Sequence, residues 1–207
     1  GREDAALLAS VREGHVPALL LGRDLKETMA GVQRGLQDAA ASKDTGVRVI
    51  VLKGAGDNFS GGHDLGSPEE LADRELRPIG EGLRGRYTRS WDMNIDPTLR
   101  WRNVPKPTIA AIQGYCIFAG WMVASACDVI IAADDALFLP TNFQYFSVPW
   151  DISPRKAKAI LFESRLVDAE EAEALGFVSW VVPRSALDAE VAAYAGRERR
   201  FGDVPAA

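Results

Sequence analysis

The chain has 207 residues and a mass of 22.4 kDa, enough for one domain with a substantial buried core. A hydrophobic fraction of 47% excludes a disordered chain. A net charge of −5 and a pI near 5.2 exclude general attraction to nucleic acid or an anionic membrane. Taken in chain order, Leu7 to Arg12 reads as a short strand and Leu25 to Leu36 has helical spacing. Residues 47–54 (VRVIVLKG) are β-branched and almost wholly apolar, as a strand buried on both faces should be. Residues 55–66 are rich in glycine and short polar residues and must form a shaped loop. A polar, charged stretch runs from Ser67 to about Arg89, followed by an aromatic-rich helical segment up to Trp101 that Pro105 and Pro107 bring to an end. TIAAIQG (108–114) is a second buried strand, residues 115–127 a turn and an apolar helix, and residues 128–139 a strand, a turn and a short strand. Helices follow at Arg155 to Glu163 and Ala169 to Leu175, then a strand at Val178 to Val182. Uniformly apolar strands alternating with helices predict an α/β fold with a parallel sheet.

Cys116 and Cys127 stand in apolar stretches with no Cys-x-x-Cys spacing, and read as small core residues of a reduced compartment. No apolar run approaches the ~20 residues of a membrane span. The opening Gly1-Arg2-Glu3-Asp4 lacks the layout of a signal peptide, so the expected setting is the cytoplasm.

Two strand-to-loop junctions carry the chemistry. The first is Phe59-Ser60-Gly61-Gly62-His63-Asp64-Leu65, and the second is Gly114-Tyr115-Cys116-Ile117-Phe118-Ala119-Gly120-Trp121. Small residues there let a ligand approach the backbone, and free N–H groups at a helix start favour negative charge. Two such amides converging on one oxygen would stabilise the enolate or tetrahedral oxyanion of a thioester. Taken singly, each glycine pair could equally make no more than a tight turn.

Residues 47–66 resemble the crotonase (enoyl-CoA hydratase/isomerase) segment in which a strand ends in Gly-x-Gly and leads into Phe-Ser-Ala-Gly-x-Asp-Leu. Residues 104–138 resemble that family's Lys-Pro-x-Ile-Ala-Ala-x-x-Gly block, its Gly-Gly-Gly turn and its Cys-Asp-x-x-x-Ala strand. Residues 166–183 resemble its Ala-x-x-Ala-x-x-x-Gly-Leu-Val segment. The resemblance implies a spiral of ββα units in two roughly perpendicular sheets with surrounding helices. It also implies an acyl-CoA thioester as ligand, with no permanently bound cofactor and coenzyme A entering as part of the substrate. Assembly as a homotrimer or a dimer of trimers is implied as well. Residues 1–190 would form the acyl-CoA-binding domain, and residues 191–207 would begin a C-terminal helical region that the family uses for trimer contacts. By position, one oxyanion N–H belongs to His63 and the other to Ala119, which replaces the middle glycine of the triplet but keeps its N–H. The backbone at Gly61 and Gly62 would face the coenzyme, with Gly120 beside the second amide. The His63 side chain is a second, less direct candidate as a base.

The departures narrow the reaction. Hydratases of this family use two glutamates, one to activate water and one to supply the α-proton. The first falls on Met122 and the second, by direct count, on Asn142, and neither side chain can transfer a proton in that mechanism. The loop between Phe138 and the helix near Arg155 is shorter than the family's by roughly seven residues. A core strand after Val16-Pro17 is likewise missing, so an acid belonging to residues that this sequence lacks near Pro140 is one alternative. Asp151, among apolar residues before a helix, is another: burial would raise its pKa and suit it to proton transfer. Its plainer role, or that of Ser153, is to cap the helix that Pro154 opens. Trp91, Met93 and Trp101 would wall a large acyl pocket or simply pack the core. Arg100 and Arg102 could meet phosphates of coenzyme A or remain solvated. The leading expectation is an acyl-CoA enzyme, an enoyl-CoA hydratase/isomerase-type lyase or isomerase. A non-catalytic acyl-CoA-binding or assembly subunit is the second reading. A protease of the ClpP type shares the fold class, but no serine here has an evident histidine and acid partner.

Overall fold

The computed structural model describes residues 18–21, 49–54, 56–62, 68–76, 78–141 and 145–197. The strand expected at Leu7 to Arg12, the helix expected at Leu25 to Leu36, and the site candidates His63 and Asn142 lie outside the described residues.

Among the described residues five parallel strands form the main sheet: β1 (Ala18–Leu21), β2 (Ile50–Gly54), β3 (Thr108–Ile112), β5 (Val129–Ala133) and β8 (Trp180–Val182), adjacent in that order. The core strand expected to be missing after Val16-Pro17 is present as β1, paired along its length with β2. A smaller sheet joins β4 (Tyr115–Ile117), β6 (Leu137–Leu139) and β7 (Val167–Asp168), the last pair antiparallel. The near-continuous apolar runs are explained by burial on both faces. Ile50, Leu52, Ala110, Ile112, Ile130 and Ala132 point into one cluster with Trp121, Phe138 and Phe177. Val49, Val51, Ile109, Ala111, Ile131 and Ala133 point the other way, against Leu187, Val191 and Ala195. Successive strand residues alternate faces, so each strand serves two cores at once.

Among the described residues the helices are α1 (Pro68–Leu76), α2 (Gly82–Ser90), α3 (Asp96–Arg102), α4 (Ala119–Ser125), α5 (Pro154–Glu163), α6 (Ala169–Leu175) and α7 (Leu187–Arg197). A π-helical turn at Trp91–Ile95 joins α2 to α3. The described part of the polar stretch thus holds two helices, at Pro68–Leu76 and Gly82–Ser90. Its glutamate, leucine, alanine and arginine residues favour that state, and α2 nevertheless buries none of its residues. The segment expected as a turn before α4 is the three-residue strand β4, too short to leave a period of two in the sequence. Helix α7 covers one face of the sheet and runs across position 190. Among the described residues no helix is long and apolar enough to cross a membrane.

Asp128 ties β3 to β5 as a structural residue should. Its Oδ2 accepts from Thr108 N and Thr108 Oγ1, both at 2.8 Å, while its own N–H donates to Thr108 O at 3.1 Å. Both cysteines are buried and unpaired. Burial pushes the Cys127 thiol up to about 12, and burial followed by the neighbouring Cys127 raises Cys116 as well. These are packing residues and not nucleophiles.

Candidate functional site

The two glycine-bearing junctions leave the carboxyl ends of adjacent parallel strands, β2 and β3. In open α/β sheets this is where ligands are usually held. The chain brings the junctions into contact. Ser60 bridges to Cys116, its N–H donating to Tyr115 O at 2.8 Å and its carbonyl accepting from Ile117 N at 3.1 Å. Gly62 is buried with φ +92°, and a Cβ there would fall 2.7 Å from Phe118 Cδ2 and 3.1 Å from Ile117 O. Gly120 reciprocates: its Cβ would lie 2.7 Å from Ser60 Cβ. Each junction therefore needs the other's glycine, a reason for the pairing stronger than a tight turn. Gly61 is exposed, with open space where a side chain would go.

Phe118 sits between them with φ +51° and ψ −112°, a conformation ordinarily left to glycine. Such strain costs about 1–3 kcal/mol and concentrates at functional sites. The surroundings that hold it are visible: Phe118 N donates to Leu139 O at 2.8 Å and its carbonyl accepts from Met122 N at 3.4 Å. Ala119 is buried and opens α4, so its N–H has no acceptor within the helix. Met122 is wholly buried one turn further along. The position where the family resemblance expects a carboxylate thus holds a buried thioether.

The other predicted residues are dispersed. Trp101 is core, 2% exposed, its Nε1 donating to Cys127 Sγ at 3.1 Å. Trp91 is exposed and stacked on Tyr87 at 6.2 Å. Arg100 pairs with Asp96 at 2.7 Å, whereas Arg102 lies 4.2 Å over the Trp150 ring and donates to Ser125 O at 3.2 Å. Asp151 stands beside Arg102 and Ser125, at the far end of α4 from Ala119. Six residues of helix put that end about 9 Å away along the axis. Neither Asp151 nor Ser153 caps α5 through its side chain, although Pro154 takes the first helical position as expected.

Packing around the Asp151 carboxyl raises it from 3.8 to about 6, although the residue is solvent-exposed at its surface; Arg102 and Ser125 pull it partly back. Ser125 Oγ is itself buried without a hydrogen-bond partner among the described residues. The folded state thus holds the proton more tightly than the unfolded chain. Stability falls as pH rises from about 4 to about 6 and stays lower at neutrality. Asp151→Asn is expected to be modestly more stable than the parent at pH 7, with the difference closing below about pH 4. Melting temperatures of both proteins from pH 4 to 7 check it, and a constant difference across that range refutes it.

Sequence reasoning missed Gln113, Asn58 and Phe118. The signal for Gln113 was available: a lone amide ending an otherwise apolar strand. The signal for Phe118, a backbone angle, was not.

The family model described as enoyl-CoA hydratase/isomerase matches residues 26–198. A Mycobacterium tuberculosis protein provisionally named enoyl-CoA hydratase EchA13 is 33% identical over 219 residues, covering 95% of this chain and 68% of that protein. The aligned length exceeds this chain's own 207 residues, so that relative carries residues inside the matched range that this chain lacks. A peroxisomal enoyl-CoA hydratase of Arabidopsis thaliana, also provisionally named, is 30% identical over 67% of this chain, which spans only 51% of its length. Among solved structures, a monofunctional enoyl-CoA isomerase from M. smegmatis superposes with a TM-score of 0.70 at 30% identity, covering 93% of this chain and 84% of that one. A Mycobacterium thermoresistibile protein of provisional enoyl-CoA hydratase assignment gives 0.76 at 37% identity, covering 89% and 76%. The interlocked junctions, the parallel sheet beneath them and these similarities agree: the chain belongs to the enoyl-CoA hydratase/isomerase family of the crotonase superfamily.

Proposed function

We propose that this chain, an acyl-CoA-processing member of its family, holds a thioester carbonyl oxygen between the N–H groups of His63 and Ala119. The observation carrying the proposal is the mutual fit of the junctions, in which Gly62 packs on Phe118 and Gly120 packs on Ser60. That fit sets the two loops at a fixed separation before any ligand arrives, as electrostatic stabilisation of developing charge requires. Gly61, open to solvent beside the first amide, leaves backbone accessible to the coenzyme. A homotrimer or dimer of trimers goes with this reading.

Hydration by a carboxylate pair does not go with it. Met122 offers no proton, and Asp151 lies at the other end of α4. Double-bond isomerisation and C–C or thioester cleavage use the same stabilised enolate or oxyanion, and each would take its proton-transfer group from a residue other than Met122 and Asp151. A panel of acyl-CoA thioesters tests the proposal. A conjugated dienoyl-CoA should bind with a red-shifted absorption, because its carbonyl is polarised. Crotonyl-CoA hydration should run about 10²–10⁴-fold below that of a relative with both glutamates. Rapid hydration would overturn this account of the chemistry. Asp151→Asn is expected to leave binding and any turnover in place; abolished turnover would instead make Asp151 the acid. The buried Met122 favours one second reading, an acyl-CoA-binding subunit, which predicts binding without turnover of any panel member.

A further inference from the structure

We infer that Gln113 is a positioning residue whose buried side-chain amide, at the end of β3, fixes the first junction against the second and so sets the separation of the two oxyanion amides. The inference rests on the oxyanion reading above. Gln113 is 1% exposed. A buried primary amide is costly unless its polar atoms are used. Here Nε2 spends both its donors, on Gly54 O at 2.8 Å and Gly56 O at 3.1 Å, the carbonyls on either side of the point where β2 gives way to the loop, while Oε1 is buried with no hydrogen-bond partner among the described residues. Two carbonyl acceptors require two N–H donors, so the orientation of the amide follows from its partners.

The Gln113 main chain acts on the same loop further along, its carbonyl accepting from Phe59 N at 2.7 Å. One residue therefore holds the loop at its entry and at its exit. Immediately beyond the second contact lie Ser60, which pairs with β4, and then Gly61 and Gly62. Past Gln113 in the other direction the chain runs through β4 into Ala119, so the residue stands where the two junctions diverge.

Other groups grip the loop less decisively. Asn58 Oδ1 accepts from Tyr115 N at 2.9 Å, and Arg184 Nη2 donates to Asp57 O at 3.1 Å, but both contacts are exposed. Water competes for exposed hydrogen bonds and screens the Arg184 charge. The Gln113 bond to Gly54 O is buried and the one to Gly56 O is part-buried, so loss of the donor leaves Gly54 O without a replacement partner.

The test uses the whole chain with a 2,4-dienoyl-CoA as probe and free coenzyme A as a reference ligand. Gln113→Met keeps the length and removes both donors. Gln113→Asn keeps the donors and withdraws them by one methylene. The expected result is a coenzyme A dissociation constant within about threefold of the parent, since that binding does not depend on the carbonyl. The red shift of the bound dienoyl-CoA should fall by more than half in Gln113→Met and by an intermediate amount in Gln113→Asn. A full shift in a folded Gln113→Met overturns the inference, and if that variant does not fold, a full shift in Gln113→Asn overturns it. A parent protein that binds the dienoyl-CoA with no shift removes the oxyanion reading itself, a failure visible before any variant is compared.

Discussion

Gly120→Ala is expected to lower the unfolding free energy by about 1–3 kcal/mol, the usual range for overpacking a closed site, and to abolish acyl-CoA binding. The added Cβ would stand 2.7 Å from Ser60 Cβ and 3.1 Å from Ser60 Oγ. Neither Cβ can rotate away, because each is fixed by its own backbone, so relief requires the two junctions to separate. That separation is what should cost binding. Ser60→Gly in the same chain removes the obstructing atom and should restore most of both losses, although it gives up the 3.2 Å hydrogen bond from Gly62 N to Ser60 Oγ. Denaturant unfolding and dienoyl-CoA titration of the four proteins complete a double-mutant cycle. Additive losses, with no rescue, would mean that the junctions do not press on each other as described.

Trp121→Ala is the second large effect, expected at about 3–5 kcal/mol. Trp121 is fully buried, stacked on Phe177 with centroids 4.0 Å apart and set edge-on to Phe138 at 6.0 Å; Phe138 and Phe177 meet edge-on at 5.4 Å. This trio joins α4 to the smaller sheet and to the segment entering β8, and the helix it anchors carries Ala119 and Met122. Against a total stability of about 5–15 kcal/mol the loss is a large fraction. Trp121→Phe should cost much less, because it keeps a ring in the stack and the indole Nε1 has no hydrogen-bond partner among the described residues to lose. A shift in denaturation midpoint at constant slope measures both. Equal losses would show that the aromatic stack is not what holds the helix.

The parallel sheet was legible because β2, β3 and β5 are buried on both faces and so lack polar interruption. Helices α5 and α6 were legible from their spacing and from Pro154 and Gly176 at their ends. Strand β4 was not, since three residues carry no period and its partners come from β6, where Tyr115 pairs with Leu137 and Ile117 with Leu139. Helices α1 and α2 were hidden for a different reason: α2 buries nothing, so no apolar stripe marks it. At the site, the glycine pairs named the right loops, but what makes them a unit lies between chains of contact. The clash of Gly62 with Phe118, the positive φ of Phe118 and the two carbonyls gathered by Gln113 exist only once strands β2 and β3 are side by side. Asp151 illustrates the converse. An acid among apolar residues is easy to see in sequence, yet its neighbours Arg102 and Ser125 place it at the opposite end of α4.

The clip between Gln113 and Gly54 joins residues 59 positions apart in the chain. Closing so long a loop costs entropy that only completed pairing returns, so contacts of this span form slowly and late in folding. The ligand site is therefore a property of the finished sheet alone. A partly folded chain with its helices formed but β2 and β3 apart would have every residue of the site and none of its geometry, and so would gain no protection from acyl-CoA.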